Sequence, residues 1–134
     1  MHTLLVPVDG SALAEQVLPY VRVLAPLLHA DVHLLVVVSE ADIERLLAYE
    51  LVRLQEGGSE VLPTALRKQR AQNQLCARAR HYLGLQTEQL RAAGLKAHFA
   101  VRAGLPDDQI IYMAERTSAT LIVMATHGYS GLKR

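Results

Sequence analysis

Tryptophan is absent from the 134 residues, phenylalanine occurs once and tyrosine five times. Few flat side chains therefore exist on which the bases of a single strand could stack. A single cysteine, Cys76, rules out an intrachain disulfide and makes the cytoplasm the expected compartment. Charge of one sign is missing as well: 14 basic and 13 acidic residues leave a net charge of +1. Such a chain offers no field for DNA or anionic lipid, so neither nucleic acid nor membrane is an expected partner. Long apolar runs are lacking too, none approaching the ~20 residues that span a bilayer. The opening M-H-T-L-L-V-P has no basic region leading into a long apolar stretch and reads as a first strand, not as a signal peptide.

What is present is a chain 51% apolar and 20% charged, the composition of a folded domain and not of a disordered one. Its length suits one domain, residues 1–134, with a single core. Residues 3–8 are almost continuously apolar, as in a parallel strand covered on both faces. Ser11 can cap a helix reaching about His29, with Pro19 expected to kink it by removing an amide donor. Residues 32–38, V-H-L-L-V-V-V, form a second, β-branched strand.

Ser39 or Asp42 opens a helical stretch over 40–56 that Gly57 and Gly58 interrupt, and 59–93 turns helical again with Pro63 in a first turn. Gly94 stands where a helix end favours a left-handed residue, ahead of a third strand L-K-A-H-F-A-V-R. Pro106 starts the next helix, with Asp107 and Asp108 at its positive dipole end. S-A-T-L-I-V-M-A-T is the fourth strand. The alternation of strand and helix implies an α/β fold, a doubly wound open parallel sheet with right-handed crossovers. A chain stopping just after a fourth strand leads us to expect a truncated carboxyl terminus that lacks a last helix and strand.

The runs L-L-V-P-V-D-G-S at 4–11 and L-I-V-M-A-T-H-G-Y-S-G at 121–131 share one grammar, an apolar strand ending at polar residues and glycine. Strands that end in this way place their carboxyl ends around one crevice, where open parallel sheets bind ligands. Asp9 could accept a ribose hydroxyl or orient a metal-bound water; alternatively, Asp9 and Gly10 are ordinary turn chemistry. G-Y-S-G at 128–131 offers backbone amides and the Ser130 hydroxyl to phosphate oxygens. It is neither a dinucleotide fingerprint nor a P-loop.

Taken in order, L-L-V-P-V-D-G-S, the helix with L-P-Y, A-A-G-L-K followed by V-R-A-G-L-P-D-D-Q-I, and L-I-V-M-A-T-H-G-Y-S-G-L-K-R resemble the universal stress protein family. The resemblance covers nearly all the chain except about residues 40–75. It implies a three-layer α/β/α fold of strand order 3-2-1-4-5, a homodimer, and, in the ATP-binding branch, ATP or AMP as ligand, with or without Mg. By position it puts Gly128 and Gly131 near the phosphates and Asp9 on the ribose or adenine side. Pro7 and Val38 would line the base pocket, with Met124, Thr126 and His127 approaching from the fourth strand. The third glycine and hydroxyl of that pattern would fall near positions 141 and 142, beyond this chain.

The expected function is thus a nucleotide-binding regulatory protein in stress response or signalling. Two alternatives stand beside it: a dimeric protein-interaction module that binds no nucleotide, and a slow ATPase in which Lys133 and Arg134 face the phosphates. No catalytic pair is assignable, and His127 is as well explained by packing at a strand end. His29, Asp31 and His33 straddle a helix end and a strand start, so no zinc site is expected. Residues 67–80 hold Arg67, Lys68, Arg70, Arg78 and Arg80 without an acid, while E-A-D-I-E-R-L-L-A-Y-E is acidic. The basic segment reads first as a solvated helix face; the alternatives are a docking surface for an acidic partner or regulatory site, and pairing of the two segments across a helical hairpin.

Overall fold

The computed structural model describes residues 2–9, 15–57 and 62–125, the side chains of 54–57 excepted. Strands β1 (His2–Pro7), β2 (Ala30–Val38), β3 (Ala97–Ala103) and β4 (Leu121–Ile122) alternate with helices α1 (Leu18–Leu28), α2 (Glu40–Gly57), α3 (Thr64–Ala92) and α4 (Pro106–Arg116). The strands are all parallel in the order β3-β2-β1-β4, the first four of the five expected. β1 to β2 to β3 steps outward in one direction, and β4 returns to the far side of β1. This reversal places the topological switch point at β1 and β4.

Alternation of side chains on β1 and β2 gives the sheet two apolar faces. Leu4, Val6, Val32 and Leu34 join Val21 and Ala25 of α1 and Leu83 and Leu90 of α3 in one core cluster. Leu5 and Leu35 point the other way and pack with Met113 of α4. Helices on both faces make the three layers, and explain why these strands read as unbroken apolar runs. Backbone pairing at β4 extends beyond its two residues, since the Thr120 amide donates to Thr3 (2.7 Å) and the Val123 amide to Leu5 (2.9 Å).

Pro19 does not kink a running helix. Gln16 and Val17 form a turn, and Pro19 stands in the first turn of α1, where its missing amide has no intrahelical acceptor to lose. Ser11, the expected cap, lies outside the described residues. α3 ends as expected: Gly94 has φ +93°, the Leu95 amide donates to Leu90 (3.1 Å) and the Gly94 amide to Arg91 (2.9 Å). Those two bonds are a Schellman closure, and Leu95 packs against the cluster that contains Leu90.

Helices α2 and α3 form a helical hairpin, which includes residues 40–75, where the sequence motifs of the resemblance are absent. Val38, Ile43 and Ala71 form a small core of their own, with Leu46, Leu47, Leu75 and Cys76 packed against it. Lys68 pairs with Glu40 at 3.2 Å, so acidic α2 and basic α3 do meet across the hairpin. The pair is solvent-exposed and worth at most about 1 kcal/mol; the apolar contacts hold the two helices together.

Candidate functional site

The carboxyl ends of β1 and β2 stay in register past Pro7, because the Val8 amide donates to the Leu35 carbonyl at 2.8 Å. Asp9 then emerges, exposed, at the edge of the sheet. On the α4 side a cavity of about 290 Å³ opens, lined by Pro7, Asp9, Leu35, Val37, Ile110 and Met124 among others. Two strands, a helix start and the residues after β4 converge on it, as the switch-point geometry requires.

Asp9 and Asp42 give this cavity its carboxylates, and its described lining contains no lysine or arginine. Carboxylates accept hydrogen bonds and repel anions. The described part of the cleft therefore suits hydroxyl and amino groups of a ligand with an apolar or aromatic body, and not its phosphates.

Asp42 is held in place by local chemistry. The Ser39 amide donates to Asp42 Oδ2 at 2.8 Å, the Ser39 hydroxyl to the same oxygen at 2.9 Å, and the Asp42 amide to Ser39 Oγ at 3.2 Å. This is a reciprocal capping box at the start of α2, so Ser39 and Asp42 act together where the sequence leaves a choice between them. Arg45, one turn on, pairs with the other Asp42 oxygen.

At the end of β3, the Gly104 amide donates to Val38 O at 3.0 Å, tying the β3–α4 turn to the end of β2. Gly104 has φ +142°, a backbone region that side chains disfavour. Pro106 follows and lines the cleft. Arg102 reinforces the junction by donating to Gln109 Oε1 at 2.9 Å and lying 4.6 Å over the Tyr112 ring.

On the opposite side of the same edge, a larger cavity of about 810 Å³ separates β2 from the α2–α3 hairpin. Asp9, Val37 and Asp42 border both cavities. Tyr82 of α3 also lines the larger one and donates its hydroxyl to Glu15 Oε2 at 2.9 Å. Burial foremost, then the bond and charge of Glu15 and the charge of Asp9, push the Tyr82 hydroxyl well above the ordinary tyrosine range.

Pro7, Asp9 and Met124 are thus brought together around the smaller cavity. Val38 lines the larger one. Gly10, Thr126, His127, Gly128, Ser130 and Gly131 lie outside the described residues, as do Lys133 and Arg134. Sequence reasoning missed Tyr82, Arg45 and Arg78 around the edge; only the S-x-x-D spacing of Ser39 and Asp42 carried a legible signal. Among the described residues no group of three or more metal-ligating side chains clusters, and no helix is long and apolar enough to cross a membrane.

The family model described as the universal stress protein family matches residues 1–134. Universal stress protein MJ0577 of Methanocaldococcus jannaschii is 26% identical over 130 residues, which span 97% of this chain and 79% of that protein. The solved structure of MJ0577 superposes with a TM-score of 0.72 at 24% identity, over 98% of this chain and 79% of that one. Universal stress protein UspA from Lactobacillus plantarum gives 0.65 at 19%, over 94% and 79%. A universal stress protein family member from Burkholderia pseudomallei gives 0.65 at 19%, over 96% and 84%. At those identities the superpositions show a common fold.

Proposed function

This chain belongs to the universal stress protein family, and we propose that it is a nucleotide-binding regulatory protein of stress response or signalling that takes ATP or AMP. The observation that carries this reading is the small cavity at the switch point, where the Asp9 acceptor stands among Pro7, Leu35, Val37, Ile110 and Met124. An acceptor beside an apolar cleft fits a ribose hydroxyl beside a base. Asp9 holds the ribose in this reading, and Pro7, Val37 and Met124 shape the base end; Val38 faces the hairpin side.

The cleft's carboxylates disfavour phosphates, and in this reading the amides of Gly128 and Gly131 and the Ser130 hydroxyl supply their donors. Gly10, Thr126 and His127 complete the proposed set of nucleotide-binding residues. Mg, where ATP is the ligand, travels with the phosphates. We read the nucleotide as a regulatory signal, with hydrolysis slow or absent.

Calorimetric titration with ATP and magnesium, and with AMP, tests this. Micromolar binding that weakens about 10- to 100-fold in Asp9→Ala is expected, the loss of a hydrogen bond to a charged acceptor. Absence of heat and of thermal stabilisation at millimolar nucleotide contradicts it.

A second reading, a homodimeric module that meets a protein partner, is favoured by α1. Tyr20, Val23 and Leu27 are 68%, 61% and 71% exposed and share one helix face at spacings of three and four. Together with the buried Leu18, Val21 and Ala25 they make α1 apolar nearly all round, a pattern of helices covered on both sides. The two readings are compatible, since the stripe belongs to α1 and the cleft to the strand ends.

A further inference from the structure

We propose that the larger cavity, between the end of β2 and the α2–α3 hairpin, is a second binding site for an apolar small molecule carrying one anionic group. Its volume of about 810 Å³ is in the range of clefts that take small molecules, and it is open to solvent on one side. Val36, Leu46, Leu75 and Ala79 give it aliphatic walls, and Tyr49 and Tyr82 aromatic ones. The α2–α3 hairpin forms its outer wall.

The polar groups around the cavity are answered, with one exception. Asp42 holds Arg45; the Tyr49 hydroxyl accepts from Arg53 at 2.9 Å; the Tyr82 hydroxyl donates to Glu15. Arg78 lines the cavity without a hydrogen-bond or ion-pair partner among the described residues. One unanswered guanidinium beside an apolar interior selects one carboxylate or sulfonate on an apolar body. Asp9 and Asp42 offset the charges of Arg45 and Arg78 in the lining, so the cavity has one guanidinium to answer one anionic group and no cluster of cations to answer a polyphosphate. This site does not rest on the nucleotide reading, although Asp9, Val37 and Asp42 border both cavities.

The probe is 1-anilinonaphthalene-8-sulfonate, an aromatic body with a single sulfonate, titrated by fluorescence into the full chain. Saturable binding of one equivalent is expected, weakened about tenfold in Arg78→Gln through loss of a charge-assisted contact. Ala79→Phe, which projects a ring into the cavity, is expected to weaken it as well, with circular dichroism confirming that both variants remain folded. Val23→Glu, on the α1 stripe, is expected to leave it unchanged. Displacement by decanoate identifies a chain-type acid as the natural class and displacement by 2-naphthoate an aromatic acid; either supports the site. Binding unaffected by Arg78→Gln and Ala79→Phe, or lost in Val23→Glu alone, overturns the proposal by moving the dye to the exposed stripe. Displacement by ATP with magnesium also overturns it, by making the cavity part of the nucleotide cleft.

Discussion

The Tyr82 hydroxyl donates to the Glu15 carboxylate at 2.9 Å across 67 positions of sequence, fastening the middle of α3 to the segment that follows β1. Tyr82→Phe is expected to cost about 1 kcal/mol, seen as a Tm lower by roughly 3–5 °C. The same contact has a pH signature. The folded state holds the Tyr82 proton more tightly than the unfolded chain, which releases it near the ordinary tyrosine value of about 10. Stability is therefore full below that pH and falls as pH rises through it; in Tyr82→Phe the fall is shallower. Urea unfolding at pH 8 and pH 11 checks both points.

His33 and His98 are partners across β2 and β3, with ring centroids 5.0 Å apart. Burial first, and then the charge of His98, lower the pKa of His33, against a smaller opposing pull from Asp31. The unfolded chain then binds a proton before the folded one does, so stability is lost as pH falls below about 6.5. His98→Gln is expected to raise the His33 pKa, read from its imidazole proton shifts, and to flatten the decline between pH 7 and pH 5. An unchanged His33 titration in that variant contradicts the coupling.

Thr87 is 2% exposed in α3, and its Oγ1 has no hydrogen-bond partner among the described residues. A buried hydroxyl without a partner costs roughly 1–3 kcal/mol. Thr87→Val keeps the shape and removes the orphan, so a midpoint of urea unfolding higher by the equivalent of about 1 kcal/mol is expected. A midpoint that falls instead places a hydrogen bond on that hydroxyl.

Gly104 stands at φ +142°, where an added Cβ would lie 3.0 Å from Gln109 Nε2. Gly104→Ala is expected to destabilise by about 1 kcal/mol or more. Because the Gly104 amide holds the end of β2, nucleotide affinity is expected to fall with stability. Gly94→Ala meets no atom within 4 Å and is expected to lower stability through its positive φ alone, leaving nucleotide affinity unchanged.

The layers and strand directions were legible because each carries a local signal: unbroken apolar runs at Leu4–Val6 and Val32–Val38, a glycine at 94, a proline at 106. Strand order was not local information and came from the family resemblance. Pro19 was misread because a proline inside an apolar helical pattern and a proline in a first turn look alike until the turn at Gln16 and Val17 is seen. At the site, Pro7, Asp9 and Met124 were legible as strand ends. The larger cavity was not, since Arg78 and Tyr82 read as two more residues of a basic helix until α3 is laid across the sheet edge.

Amide chemical-shift mapping during titration with ATP and magnesium tests the central claim most directly. The account predicts perturbations concentrated at Val8, Asp9, Leu35, Val37, Asp42 and Met124, with α2 beyond its first turn and the inner face of α3 little changed. Perturbations centred on Arg45, Tyr49 and Arg78, or none at saturating nucleotide, contradict it.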